Sequence, residues 1–392
     1  MSNIVFNENL TSMKPSASMK FMKKAADMKA AGVDVMNLSG GEPDFDTPAK
    51  ITCAGIKALT GGDTHYRVGQ GLPALRARIA KKLKEENGIS LEDNEILVTP
   101  GGKTAIYLSV RALVNKGDEV IILNPAWVSY EPIVIASAGT PVNVELKYEQ
   151  NYEITMEALE SATTAKTKML IINYPNNPTG RILSEKEAKV IVEWMKKHED
   201  VVVLSDEVYE CILFDNNKNI SLAKYAEIAD RVITVNSFSK SVAMTGWRIG
   251  YVAAPRYMIE KIYKIYQHSL TCMSGFIQQA ATVALDCKEE IEEMRKSYEM
   301  RRDIFIDGLN KIPGVHAEKP QGAFYAWVKI DKKGMDSFQI CDYLIEEAKV
   351  VGVPGDSYGF GGDKCIRFSF ATDLNDLKET VKRIEAALAK LN

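Results

Sequence analysis

Short unbroken runs of β-branched and aliphatic residues recur along the chain at positions 96–98, 120–123, 169–172, 201–204 and 232–235, with longer stretches of helical spacing between them. A strand that reads as a continuous apolar run is covered on both faces, and such strands alternating with helices predict a mostly parallel sheet in an α/β architecture. After about residue 290 the pattern changes to a long charged helix near 289–309, a strand near 323–329, a helix near 337–349, a strand at 365–370 and a last helix. That order predicts a smaller α+β unit, onto which the first 30 or so residues pack. The expected division is an amino-terminal segment at 1–45, a large domain at 46–290 and a small domain at 291–392. No repeat, low-complexity tract or Pro/Ser-rich linker interrupts the chain, so the boundaries fall inside packed structure.

Ligands of open α/β sheets bind beyond the carboxyl ends of the strands, so the residues that follow each run carry the candidate chemistry. T-P-G-G-K-T follows the first run, and Gly101 and Gly102 at a helix start make either a phosphate seat or a tight turn. N-P-A-W-V-S-Y follows the second and puts Trp127 on a loop, either as surface packing or stacked on a planar ring. N-Y-P-N-N-P-T-G follows the third; Asn177 there is a turn residue or a donor aimed into the cleft. S-D-E-V-Y-E follows the fourth, where a buried Asp206 needs a cation or caps a helix, and Tyr209 points the same way or joins the core.

N-S-F-S-K-S-V-A-M-T-G-W-R-I-G follows the fifth. Ser237 and Arg248 suit a phosphate dianion, and Lys240 between them, if not a solvated loop lysine, has a cationic neighbour that favours its neutral, nucleophilic amine. A phosphate, a ring nitrogen wanting an aspartate and an aldehyde wanting a lysine together describe pyridoxal phosphate.

Composition narrows the partners. The 392 residues are 46% hydrophobic and 26% charged with a formal net charge of -3, which gives no electrostatic reason to expect nucleic acid or an anionic membrane; a small molecule is the expected partner. Six scattered cysteines without a C-x-x-C pair read as reduced thiols in a cytoplasmic protein. No secretory signal pattern opens the chain and no apolar run approaches the ~18 residues of a membrane span. His65, His198, His268 and His316 lack ligand spacing, which argues against a metal enzyme. G-Q-G-L-P-A at 69–74 follows no strand and lacks a third glycine, which argues against a dinucleotide site.

The ordered motifs M-K-P-S-A-S (13–18), L-S-G-G-E-P-D-F-D-T-P (38–48), H-Y-R-V-G-Q-G-L-P-A-L-R (65–76), T-P-G-G-K (99–103), P-N-N-P-T-G (175–180), S-D-E-V-Y (205–209), S-F-S-K through G-W-R-I-G-Y (237–251) and I-R-F-S-F-A-T (366–372) cover nearly the whole chain. In these the sequence resembles the class I aminotransferases of fold type I, and within them the bacterial aspartate aminotransferases. The resemblance implies a large domain with a mostly parallel seven-stranded sheet flanked by helices, a smaller α+β domain, and pyridoxal 5'-phosphate as cofactor. It implies that Lys240 bonds the cofactor and moves the substrate proton, that Asp206 keeps the ring nitrogen protonated, and that Asn177 and Tyr209 bond the ring oxygen. Trp127 would stack on the ring, while Gly101, Gly102, Ser237 and Arg248 bind the phosphate. Tyr66 would reach the phosphate of a neighbouring subunit, which implies a homodimer with shared sites.

Arg367 matches the arginine that takes the substrate α-carboxylate, helped by Gly41 and Asn177. Lys103 matches a lysine associated with the distal carboxylate of aspartate or glutamate, its alternative being a phosphate-loop lysine without selectivity. Lys14 and Ser16 match a segment that closes over substrate and occurs in some relatives that also accept prephenate. No residue matches the second-subunit arginine other members use for the distal carboxylate, so a dicarboxylate preference rests on Lys103. The expected reaction moves the amino group of L-aspartate to 2-oxoglutarate by a ping-pong cycle. The rivals are an aromatic, alanine or prephenate specificity, β-elimination by a C–S lyase on the same site, and a cofactor-sensing regulatory module.

Overall fold

The computed structural model describes residues 4–11, 13, 15, 17–332 and 334–391. After a short strand Met36–Asn37 (β1), seven strands form one sheet: Ile96–Thr99 (β2), Glu119–Asn124 (β3), Thr140–Glu145 (β4), Thr167–Asn173 (β5), Val202–Asp206 (β6), Val232–Ser237 (β7) and Gly250–Ala253 (β8). Their order is β2-β8-β7-β6-β5-β3-β4, with β4, β3, β5, β6 and β7 mutually parallel and β8 antiparallel to both neighbours.

The apolar runs are strands because both faces are covered. Met169 and Ile171 of β5 join one buried cluster with helix Gly102–Leu113, whereas Leu170 and Ile172 join the cluster on the other face with Ile191, Trp194 and Met195 of helix Glu185–Lys197. That is the two-residue alternation of a pleated strand, each set filling a different core. The second helix starts where Ser184 and Glu187 cap each other: Ser184 Oγ accepts the Glu187 N–H at 3.2 Å, and the Ser184 N–H donates to Glu187 Oε2 at 3.0 Å.

Two strands of this sheet do not stand out as apolar runs. β4 is an edge strand whose inner residues are half-buried and whose run is broken by Pro141 and Asn143, and β8 has four residues and opens on a glycine.

A second sheet, ordered β12-β13-β10-β9, is antiparallel and built from Val315–Ala317 (β9), Tyr325–Ile330 (β10), Val353–Pro354 (β12) and Cys365–Ser369 (β13). Val350–Val351 (β11) pairs in parallel with β1. Phe21 and Ala25 of helix Ala17–Ala30 share one core with Phe305 and Leu309 of the long helix Lys288–Leu309 and with Phe324 and Phe368. The strand expected from residue 323 starts at Tyr325, because Ala323 takes a φ of 56° and gives its N–H to the Ile212 carbonyl at 2.9 Å. The helix expected to reach 349 ends at Glu347, with Lys349 at a φ of 57°. No described helix is long and apolar enough to cross a membrane, and all six cysteines are free.

The parallel strands end together, so the turns after β3, β5, β6 and β7 meet at one edge. β8 runs directly beneath the Gly101–Gly102 turn: a Cβ on Gly250 would lie 2.7 Å from the Asn236 carbonyl oxygen and 2.9 Å from both Gly101 C and Gly102 N. All three neighbours are backbone and cannot step aside. Gly250→Ala is therefore expected to cost roughly 1–3 kcal/mol by overpacking and to move the turn, measured as a lower urea midpoint with unchanged slope. A midpoint equal to that of the parent chain would show that the turn is free to shift.

Candidate active site

A cavity of about 340 Å³ opens at the carboxyl edge of the large sheet. Its lining includes Gly41, Gly102, Lys103, Trp127, Asn177, Asp206, Tyr209, Ser237, Lys240, Arg248 and Arg367, so residues spread over more than three hundred positions face one space. Gly101 lies just behind it, with a φ of 80° that suits glycine, and a Cβ there would come within 2.5 Å of Arg248 Nη2. The helix that begins at Gly102 presents N–H groups with no partner inside the helix, a favourable seat for an anion.

Asp206 ends β6 and is 3% exposed. Its side chain accepts the Tyr130 hydroxyl at 2.6 Å and the Val208 N–H at 3.3 Å and forms no ion pair among the described residues; the cation that the sequence reading expects for it is a ligand's. Burial pushes its carboxyl up to about 6, opposed by Tyr130, the Val208 N–H and the charge of Lys240. Tyr130 sits in the quoted N-P-A-W-V-S-Y stretch, three residues past Trp127, and its hydroxyl is the part that was overlooked. Its ring meets Trp127 edge-on at 5.2 Å.

Lys240 stands on a single turn, Phe238–Ser241, capped by Ser237 Oγ accepting the Ser239 N–H at 3.1 Å. Its amine donates to the Gly41 carbonyl. Burial lowers the amine to about 8; Glu42 and Asp206 act against this, Arg248 and Arg367 with it. The neighbouring arginine proposed from sequence thus contributes, but desolvation is the larger cause. A group titrating near 8 keeps about one amine in ten neutral at pH 7, far more than an ordinary lysine.

Arg367, in the middle of β13, is 3% exposed and is the mirror image of Asp206. Its guanidinium donates to Asn177 Oδ1 at 3.1 Å and to the carbonyls of Ser39 at 2.7 Å and Gly40 at 3.2 Å, it lies 4.3 Å from the Tyr325 ring centre, and its Nε has no partner among the described residues. Among the described residues it pairs with no carboxylate, its hydrogen bonds all going to neutral oxygens. A buried guanidinium served only by neutral acceptors retains strong affinity for a planar anion.

Asn177 is set by its own turn, donating its N–H to Asn173 Oδ1 at 2.9 Å while Asn173 Nδ2 donates to the Asp206 carbonyl at 2.9 Å. Tyr209 shares a 2.7 Å hydrogen bond with Tyr325, a second tyrosine that sequence reasoning passed over because it lies inside an apolar strand. Lys103 holds its amine 4.9 Å over the Trp127 ring, and burial followed by Arg248 lowers its proton affinity. Tyr66 is not brought to this cavity: it is 85% exposed and borders a separate hollow with Asp63 and Ser274. Lys14 and Ser16 lie outside the described residues.

Residues 33–384 match the family model described as aminotransferase class I and II. The chain is 42% identical to an aspartate aminotransferase of Pyrococcus abyssi over 98% of each chain. It is 41% identical to a probable aspartate/prephenate aminotransferase of Rickettsia bellii, over 99% of this chain and all of that one. The crystal structure of an aromatic aminotransferase from Pyrococcus horikoshii superposes with a TM-score of 0.89 at 40% identity, covering 93% of this chain and 99% of that one. The chain belongs to the class I and II aminotransferases, with the fold type I architecture and the pyridoxal 5'-phosphate dependence of that family.

The cavity fits this cofactor on its own chemistry: a buried carboxylate with neutral donors only, an amine of lowered proton affinity, an aromatic face, and a glycine turn with Ser237 and Arg248 for a phosphate. Because the Tyr130 hydroxyl stabilises the charged carboxylate, Tyr130→Phe should raise the Asp206 titration above about 6 by about 1–2 pH units, followed by carbon-13 NMR of the carboxyl in cofactor-free protein. An unchanged or lower midpoint would mean that Tyr130 does not stabilise the charge.

Proposed function

We propose that the chain moves the amino group of L-aspartate to 2-oxoglutarate, yielding oxaloacetate and L-glutamate. The observation that carries this reading is that, with Arg248 given to the phosphate and Lys240 to proton transfer, two basic side chains of the same cavity remain for the substrate: the buried Arg367 for the α-carboxylate, and Lys103 over the Trp127 ring for a second, distal carboxylate. The assignment agrees with the aspartate aminotransferase name of the Pyrococcus abyssi relative.

The cofactor supplies an aldehyde that accepts the amino group and an electron-withdrawing ring that acidifies the substrate Cα–H. Asp206 would hold a proton on the ring nitrogen, since a cation there would give its buried carboxylate the charged partner that the described residues do not supply. Asn177 and Tyr209 would donate to the ring oxygen and Trp127 would stack on the ring. Gly101, Gly102, Ser237 and Arg248 would hold the phosphate. Lys240, whose amine faces the cavity, would take the proton from the substrate Cα and give it back within the site; an amine near 8 suits both accepting and returning a proton. Arg367 orients the α-carboxylate with Gly41 and Asn177 beside it. Release of one keto acid before a second binds makes the cycle ping-pong. Lys14 and Ser16 are proposed as substrate-binding residues on the family resemblance.

The boundaries 1–45, 46–290 and 291–392 are proposed as amino-terminal segment, large domain and small domain; pairing of β1 with β11 supports joining the first to the third. A homodimer is proposed as well, because Tyr66 is exposed away from its own cavity and Ile56, Leu59 and Val68 nearby in sequence are exposed apolar residues suited to an interface. A cytoplasmic location is proposed from the free thiols. A second reading, in which aromatic amino acids or prephenate are also accepted, is favoured by the apolar lining from Met22, Ile106 and Val128 and by the names of the Rickettsia and Pyrococcus horikoshii proteins.

Mixing the cofactor-loaded protein with L-aspartate and no keto acid should bleach the visible cofactor absorbance and release one oxaloacetate per site. Absorbance that stays put with aspartate but responds to phenylalanine would sink the aspartate assignment and leave the family intact. Lys103→Met should lower kcat/KM for aspartate by roughly 10- to 100-fold, as expected for a lost charged hydrogen bond, while changing that for phenylalanine less than about threefold. Equal losses for both substrates would make Lys103 a phosphate-loop lysine.

A further inference from the structure

Behind the phosphate seat, on the side of β7 away from helix Gly102–Leu113, lies a buried polar cluster that takes no part in the mechanism above. Its centre is Glu210, which pairs with the Lys82 amine, accepts Asn87 Nδ2 at 2.6 Å on one oxygen and Asn236 Nδ2 at 2.5 Å on the other. Lys82 and Asn87 bracket a π-helical turn, Leu83–Asn87, that continues helix Pro73–Lys82, and Lys82 Nζ donates to Asn87 Oδ1 at 2.8 Å. π turns inside helices recur at functional sites, and this one brings both ends of the turn to the same carboxylate. The neighbouring Glu207 is 1% exposed and is held by Ser205 at 2.9 Å, Asn219 at 2.9 Å and Ser221. Burial, then the charge of Glu210, pushes the Glu207 carboxyl up to about 7.

One branch of this cluster reaches the active site. Asn236 is 4% exposed; while its Nδ2 is fixed on Glu210, its Oδ1 accepts the Ser237 N–H at 2.7 Å. Ser237 in turn lines the cavity, with its hydroxyl 2.8 Å from Ser239 Oγ and 3.1 Å from the Ile249 carbonyl. The chain Lys82–Glu210–Asn236–Ser237 is thus an uninterrupted line of contacts from a buried cation to the phosphate side of the cavity. Asn236 can be reoriented only by breaking a charge-assisted bond to Glu210 in a buried setting, so the Ser237 backbone is held in one orientation.

We infer that Asn236, anchored by Glu210, is a positioning residue for the cofactor phosphate: it sets the Ser237 backbone so that the Ser237 hydroxyl faces the anion. This rests on the proposed phosphate role of Ser237. A residue that only stabilises the fold would weaken binding of every cofactor form alike, whereas a residue that positions the phosphate seat weakens only the form that carries a phosphate.

The test is the binding of pyridoxal 5'-phosphate and of phosphate-free pyridoxal to the full-length chain freed of cofactor, with inorganic phosphate as competitor. Asn236→Ala should weaken pyridoxal 5'-phosphate and inorganic phosphate about five- to tenfold and leave pyridoxal within twofold, the loss expected for one buried hydrogen bond. Ser221→Ala, in the same cluster but off the branch to Ser237, should leave both ratios unchanged. Equal losses for both cofactor forms, or no loss, would overturn the inference. Ser237→Ala separates the two claims: if it shows no phosphate-selective loss the phosphate seat itself is misplaced, and if it does while Asn236→Ala does not, only the positioning role fails. Should Asn236→Ala not fold, Glu210→Gln, one bond further out, is expected to show the same selectivity at about threefold, and a loss shared by both forms would count against the role.

Discussion

Two buried charges of opposite sign, Asp206 and Arg367, face one cavity without an ion-pair partner among the described residues, and that imbalance governs the rest of the molecule. An isolated ion inside a protein is costly, so a chain that keeps two of them must hold each with neutral dipoles until a charged ligand arrives. Tyr130 and the Val208 N–H do this for the carboxylate, and Asn177 with the Ser39 and Gly40 carbonyls does it for the guanidinium. The proposed occupants, a protonated cofactor ring and a substrate α-carboxylate, would bring the complementary charges.

The two charges come from the two sheets. Asp206 is placed by the parallel strands, whose carboxyl ends converge on one edge, and Arg367 by the antiparallel β13, whose register sets it opposite Trp327 of β10. The segment after β1 spans them: the Ser39 and Gly40 carbonyls accept from Arg367 and the Gly41 carbonyl accepts from Lys240. The geometry of the reacting groups therefore depends on how the two sheets are held together, and helix Ala17–Ala30, packed on the core of the second sheet, brings Met19 and Met22 to the rim of the same cavity. Strict placement at the Gly101–Gly102 end of the cavity has a different source, the close backbone approach of Gly250 beneath that turn.

Much of this was legible in the sequence because the parallel strands are buried on both faces and read as unbroken apolar runs, and because the cavity-lining residues follow such strands directly. Lys103, Trp127, Asn177, Asp206, Ser237 and Lys240 all lie just past a run. The strands β4 and β8 escaped because one is a half-buried edge and the other four residues long. Tyr130 and Tyr325 escaped for another reason: a tyrosine in an apolar setting looks like core, and its hydroxyl meets Asp206 or Tyr209 only once the chain is folded. The cause of the Lys240 shift was also half legible, since a neighbouring arginine can be read from spacing but desolvation depends on the completed cavity.

The dependence of the site on a buried, unpaired Asp206 is tested most directly by thermal unfolding of the Asp206→Asn variant beside the parent chain, each with and without pyridoxal 5'-phosphate. Without cofactor the variant should unfold at the same temperature or higher, because a buried carboxylate has been replaced by a neutral group of the same shape. With cofactor the parent should gain stability by mass action and the variant should lose most of that gain. An equal gain in both would contradict the account, since the carboxylate would then not be what the cofactor ring completes.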